Sequence, residues 1–391
     1  MQNRKKLFYP LLEDAFNTKD INLAIKVIKS RQLTMSKITS NFEKQFSRYL
    51  GVKYAVMVNS GSSANLLSLF VAKYSYNFKN GDEVIIPSIC WSTSLWPIIQ
   101  SGLKPVFVDV NLRDYNASLK EIISKISKKT KAIVLIHVLG TSLKIDELLK
   151  LTRKKKILII EDTCESLGSK FKNKYLGTFG NFGTFSFYYS HQITSGEGGM
   201  VVTNKKKDYN LLKIMRAHGW DRDILKNKKN SKKFNFINMG FNLRPLEVSA
   251  AIAKNQLKRL KQFSLIRSIN RKKIIEKLRA HKNWNNQYQF VVPEKDLEPS
   301  WFGLPLLIKK KYLNKKNKII QNLNKKGIET RPIISGNFLN QKAAKIYNLN
   351  TKNHRFPNAE YVEKAGFFIG LHTKYIENKK LKILTNELLK F

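Results

Sequence analysis

The chain has 391 residues, 42% of them hydrophobic, and a formal net charge of +44. That length and apolar content exclude a disordered chain and predict one large domain with a smaller companion. Cys90 and Cys164 are the only cysteines, which excludes a disulfide framework or a cysteine-ligated cluster, and no metal site is expected.

The opening stretch, MQNRKKLFYPLLEDAF, places Glu13 and Asp14 early and has no apolar core of signal-peptide length, so a cytoplasmic protein is expected. Phe42, Phe46, Tyr49 and Leu50 share one face of a predicted helix that Gly51 ends. Seven strand candidates follow, at residues 54–58, 84–87, 105–110, 132–136, 157–160, 184–188 and 200–203. Most are continuous apolar runs (YAVMV, AIVLI, ILII), as expected of strands covered by helices on both faces. Helical segments such as 61–76 and 144–154 lie between them. The βαβ succession predicts an α/β domain with a mostly parallel, seven-stranded sheet. The longest apolar run, Ala132 to Gly140, is too short to span a bilayer, and no membrane segment is expected. Residues 225–235, LKNKKNSKKFN, read as a polar loop. From about residue 262 a basic helix begins, followed by QFVVP, WFGLPLLI and further helical pieces. The expected division is a large domain over 1–261 and a small C-terminal α+β domain over 262–391.

The positive charge is spread along the chain in short runs such as ISKKTK and KNKKNSKK, with no arginine-rich arm, zinc-finger spacing or RNA-binding aromatic pair. It reads as solvated loops and helix faces, and no nucleic-acid partner is expected.

Three groups sit where an open α/β sheet gathers its ligands, at the carboxyl ends of strands. After YAVMV comes Asn59-Ser60-Gly61-Ser62-Ser63-Ala64-Asn65 at a helix start, which is a phosphate cradle or an ordinary cap. After ILII comes Glu161-Asp162; a carboxylate there faces a pyridine nitrogen or caps a helix. After TFSFY comes Ser190-His191, inside a sixteen-residue stretch, 185–200, that holds no lysine in a lysine-rich chain. In that chain order, a phosphate cradle, an aspartate and a reactive-group position describe a pyridoxal-phosphate site. Trp91, after VIIPSIC, is placed to stack on the ring or to fill a core.

SGSSANLL, IIEDTCESLG, FSFYYSHQITSGEGG and GFNLRPLEVSAAIAKNQL resemble the DegT/StrS-type sugar aminotransferases, a family of fold type I, and the resemblance runs from Tyr9 to the C-terminus. His191 stands where those aminotransferases carry the lysine that links covalently to the cofactor. WSTSLWP, RAHGWDRD, PSWFG, ETRPIISGNFL and GLHT extend the resemblance to a subgroup of dehydratases acting on nucleotide-linked 4-keto-6-deoxy sugars in lipopolysaccharide biosynthesis. The resemblance implies non-covalent pyridoxal or pyridoxamine 5'-phosphate, a GDP-linked 4-keto-6-deoxymannose substrate that loses its 3-hydroxyl, and glutamate as amino donor. It makes His191 the base. It assigns the cofactor phosphate to Gly61, Ser62 and Ser186, the ring to Trp91, and the ring nitrogen to Asp162 with Glu165 beside it. Asn242 would reach the phosphate from a second subunit, which implies a homodimer with shared sites. His218, Arg244, Glu329 and His372 fall in matching motifs as substrate-binding candidates. Rival expectations are an aminotransferase that tolerates histidine, a CDP-linked dehydratase, and an inactive scaffold of the same fold.

Overall fold

The computed structural model describes residues 7–12, 15–224, 234–349 and 355–390. Glu13 and Asp14, and residues 225–233 of the predicted polar loop, lie outside the described residues. Helices α1 (Thr18–Ser30) and α2 (Lys37–Leu50) lead into the first strand. Asn17 caps α1 through a reciprocal box with Asp20, and Gly51 ends α2 in a left-handed turn at φ 71°. Phe42, Phe46 and Leu50 bury the inner face of α2.

Seven strands then form one sheet: β1 (Tyr54–Val58), β2 (Glu83–Pro87), β3 (Lys104–Val108), β4 (Thr130–Ile136), β5 (Leu158–Asp162), β6 (Phe182–Ser186) and β7 (Gly199–Thr203). Their order across the sheet is β1-β7-β6-β5-β4-β2-β3. All run parallel except β7, which pairs antiparallel with β1 and β6. Each expected strand is present, with ends shifted by a residue or two. Helices α3 (Gly61–Ser75), α4 (Ser92–Gln100), α5 (Leu119–Lys125), α6 (Ile145–Lys155) and α7 (Lys206–Arg216) link and cover the strands. This cover explains the uninterrupted apolar runs: β5, β6 and β7 are buried at every residue.

Helix α8 (Glu247–Leu257) packs on α1 and α2, and α9 (Leu260–Arg279) carries the chain to a second sheet. That sheet is antiparallel, with β8 (Tyr288–Phe290), β9 (Gly303–Ile308), β10 (Thr330–Arg331) and β11 (Gly366–Gly370) in the order β8-β9-β11-β10. The N-terminal segment joins it: Tyr9 bridges Ile328 and donates its hydroxyl to the Gly370 carbonyl at 3.1 Å. No helix among the described residues is long and apolar enough to cross a membrane.

Candidate active site

Asp162 is the last residue of β5 and is almost fully buried. Its carboxylate accepts from Asn65 Nδ2 at 2.8 Å, Ser94 Oγ at 2.7 Å and the Cys164 amide at 3.2 Å. Thr184 on β6 donates to Asn65 Oδ1 at 2.5 Å and so fixes which end of that amide faces the aspartate. Asn65 lies one helical turn after Gly61 on α3, so the helix start and the carboxylate clamp share a face. The sequence reading missed Asn65, Ser94 and Thr184 as a group. Their only local signal is their presence in the SGSSANLL, WSTSLWP and TFSFY segments.

The start of α3 is built for close approach. Ser60 caps it by accepting from the Ser63 amide at 3.1 Å, and among the described residues no acceptor engages the amides of Gly61 and Ser62. A Cβ at Gly61 would lie 2.5 Å from the Ser186 Cβ and 3.1 Å from Cys164 Sγ, and a Cβ at Gly199 would lie 2.2 Å from the Ser60 carbonyl oxygen. Only glycine fits at either place. Ser62 Oγ meets Thr93 Oγ1 at 3.1 Å, which ties the cradle to the start of α4. Trp91, the residue before α4, is 57% exposed.

His191 stands in a short turn after β6, with its amide on the Tyr188 carbonyl at 3.0 Å. Its ring is set edge-on against Phe302 and Tyr188, with centroids 5.2 and 5.9 Å away. Nδ1 is buried without a hydrogen-bond partner. Burial first, and then the charge of Arg267, pushes the imidazole down to about 3. Arg267 is itself buried, anchored through Nε to the Leu371 carbonyl at 3.1 Å. Gln192 pins the turn by donating to the carbonyls of Glu165 and Ser300. The Glu165 carboxyl accepts from the Leu139 amide at 3.0 Å. Burial raises it to about 7, against the Leu139 hydrogen bond and with help from Asp162.

The remaining candidates fall into two clusters. His218 and Asn242 lie on facing segments, with the His218 amide on the Phe241 carbonyl at 2.8 Å and Asn242 accepting from Arg244 Nε at 3.0 Å. The next carbonyl, Leu243, accepts from the Asn59 amide at 3.1 Å, so this cluster borders the cradle. Glu329 and His372 hold the N-terminal segment. Glu329 accepts from the Leu11 amide at 3.0 Å, and His372 stacks on Tyr9 at 4.3 Å with Nε2 2.8 Å from the Pro10 carbonyl.

Unengaged helix amides beside serine hydroxyls suit a phosphate, a carboxylate clamped by neutral donors suits a protonated ring nitrogen, and an orphaned buried imidazole suits a proton in transit. A mostly parallel sheet offering this chemistry at its strand ends is that of pyridoxal-phosphate enzymes of fold type I. Residues 15–385 match the DegT/DnrJ/EryC1/StrS aminotransferase family, and the chain belongs to it. It is 38% identical over 376 residues to GDP-4-keto-6-deoxy-D-mannose 3-dehydratase of Escherichia coli O55:H7, covering 93% of this chain and 95% of that protein. The solved structure of E. coli GDP-4-keto-6-deoxy-D-mannose-3-dehydratase with bound hydrated PLP superposes with a TM-score of 0.91 at 36% identity, covering 98% of this chain and 100% of that one. A structure of GDP-4-keto-6-deoxymannose-3-dehydratase with a trapped PLP-glutamate geminal diamine gives 0.89 at 36% identity, over 97% and 100% of the two chains.

A depressed imidazole loses its proton at lower pH than a free one, so in the cofactor-free protein His191 stays neutral down to well below pH 6.5. Carbon-detected NMR, with the His191 signal assigned through His191→Asn, should show the neutral form from pH 8 to pH 5. A midpoint near 6.5 would contradict the burial argument.

Proposed function

We propose that this chain is a pyridoxal/pyridoxamine-phosphate-dependent 3-dehydratase that removes the 3-hydroxyl of GDP-4-keto-6-deoxy-D-mannose and uses glutamate as the amino donor. The observation that supports the reading is a half-buried His191, its Nδ1 buried and without a partner, in the same sheet as a clamped aspartate and a helix start where only glycine fits. Gly61, Ser62 and Ser186 would hold the cofactor phosphate, Asp162 the ring nitrogen with Glu165 beside it, and Trp91 a ring face. When bound, the amine form of the cofactor supplies a nitrogen that condenses with a ketone and a ring that takes up electrons.

The protein's part is proton movement and exclusion. The His191 imidazole takes a proton as a base and returns it to the departing 3-hydroxyl of the sugar. Phe302 and Tyr188 hold the ring edge-on, which fixes the direction in which its nitrogens can pass a proton. A lysine amine in that place would act as a nucleophile, release the sugar early and favour transamination. The two cysteines cannot ligate an iron–sulfur cluster, which takes about four thiolates. In this reading glutamate, the amino donor, is the source of the electrons.

His191→Lys tests this directly. Dehydration should be lost and the cofactor should become covalently attached, fixed to the chain by borohydride. Unchanged dehydration would remove His191 from the role of base.

The homodimer is part of the same reading. Ile21, Ile25 and Ile28 form an exposed stripe on α1, and Leu33, Leu246, Phe236, Ile237 and Met239 are exposed as well. Apolar surface of this extent needs a partner, and a second copy would bring its Asn242, exposed here, to the cofactor phosphate. Asn242→Ala should weaken cofactor binding roughly tenfold without changing the sedimentation of the assembly. Unaltered affinity would contradict the shared site.

A further inference from the structure

The second half of α9 runs beside β8, the edge strand of the C-terminal sheet, and a cavity of about 570 Å³ lies between them. Its walls carry three cations, Arg271, Arg279 and Lys309, and no acid. The acids nearest in sequence are engaged elsewhere: Glu276 pairs with Lys272 at 3.9 Å and Glu294 with Arg113 at 3.4 Å. No ion pair joins any of the three cations among the described residues.

Aromatic rings hold the two guanidiniums. Arg271 sits over Trp301 at 4.0 Å, gives one N–H to the Val291 carbonyl at 2.7 Å, and keeps a buried Nε without a partner. Arg279 sits over Phe290 at 5.5 Å, and Phe290 stacks on Trp284 at 5.9 Å with planes 11° apart. A ring face steadies a guanidinium without using its N–H groups. The two arginines are close enough that Arg279, after burial, helps hold Arg271 down to about 10.

Paired cations with no counter-ion and with donors unspent call for an anion, and guanidinium forks match phosphate. Trp284 adds an aromatic platform. Asn286 and the carbonyl end of Gln289, whose amide nitrogen is spent on Leu112, add polar groups of the kind that read a base edge. The volume is that of a small-molecule site. Trp301, beneath Arg271, directly precedes Phe302, so the cleft backs onto the wall of His191.

We propose that this cleft is a second ligand site, separate from the His191 pocket, that binds a nucleoside phosphate with its phosphates on Arg271 and Arg279 and its base against Trp284. The assignment does not rest on the dehydratase reading; failure of that reading would appear in turnover, whereas this test reads binding alone.

Calorimetric titration of the full-length, cofactor-loaded protein with GDP, at physiological salt, tests it. Arg279 is exposed, so Arg279→Met should fold; it should weaken one class of GDP site roughly tenfold or more. Trp284→Ala should weaken GDP at that class but leave inorganic pyrophosphate unchanged. Lys272→Met, one exposed cation away on the same helix, serves as the charge control. The proposal is overturned if Arg279→Met and Trp284→Ala titrate like the parent protein, if Lys272→Met weakens GDP as much as Arg279→Met, or if pyrophosphate binds as tightly as GDP.

Discussion

The site depends on two acids in succession at the end of β5. Neighbouring residues of a strand face opposite ways, and here each has a different task. Glu161, fully buried, accepts from the amides of Gly177 at 2.7 Å, Phe179 at 2.7 Å and Gly180 at 2.6 Å, and lies 3.0 Å from His137 Nε2. It ties down the turn that feeds β6. Asp162 faces the clamp of Asn65 and Ser94. A one-residue slip of β5 would exchange the two faces, leaving the β6 turn without its anchor and the clamp without its carboxylate. The parallel register, Ile136 opposite Asp162 and Asp162 opposite Thr184, prevents that slip.

From that fixed edge the remainder of the pocket follows in chain order. β6 delivers Ser186 against Gly61, where no larger residue fits, and the turn after it delivers His191 between two aromatic rings. The same burial that keeps the imidazole neutral would desolvate a lysine ammonium and favour its free amine, a nucleophile. A pocket of this kind would therefore suit either residue.

Much of this was legible in the sequence because it is local. Continuous apolar runs gave the strands to within a residue or two, Gly51 gave the end of α2, and glycine and serine at a strand-to-helix junction gave the start of α3. The clamp on Asp162 was not legible, because Asn65, Ser94 and Thr184 come from three separated elements and carry no shared period. Arg267 was hidden for a different reason. In a chain with 72 lysines and arginines, nothing in the sequence marks the one guanidinium buried beside His191. Glu329 and His372 show the same limit: their motifs were visible, but their contacts with Leu11, Tyr9 and Pro10 depend on a segment from the other end of the chain.

The most direct test of the central claim is the mass of the product formed from GDP-4-keto-6-deoxymannose with pyridoxal phosphate and glutamate. The dehydratase reading predicts a sugar lacking one oxygen, formed with an equivalent of the oxo acid derived from glutamate. A sugar that has instead gained an amino group would contradict the account, because it would mean that the pocket performs amino transfer without the lysine.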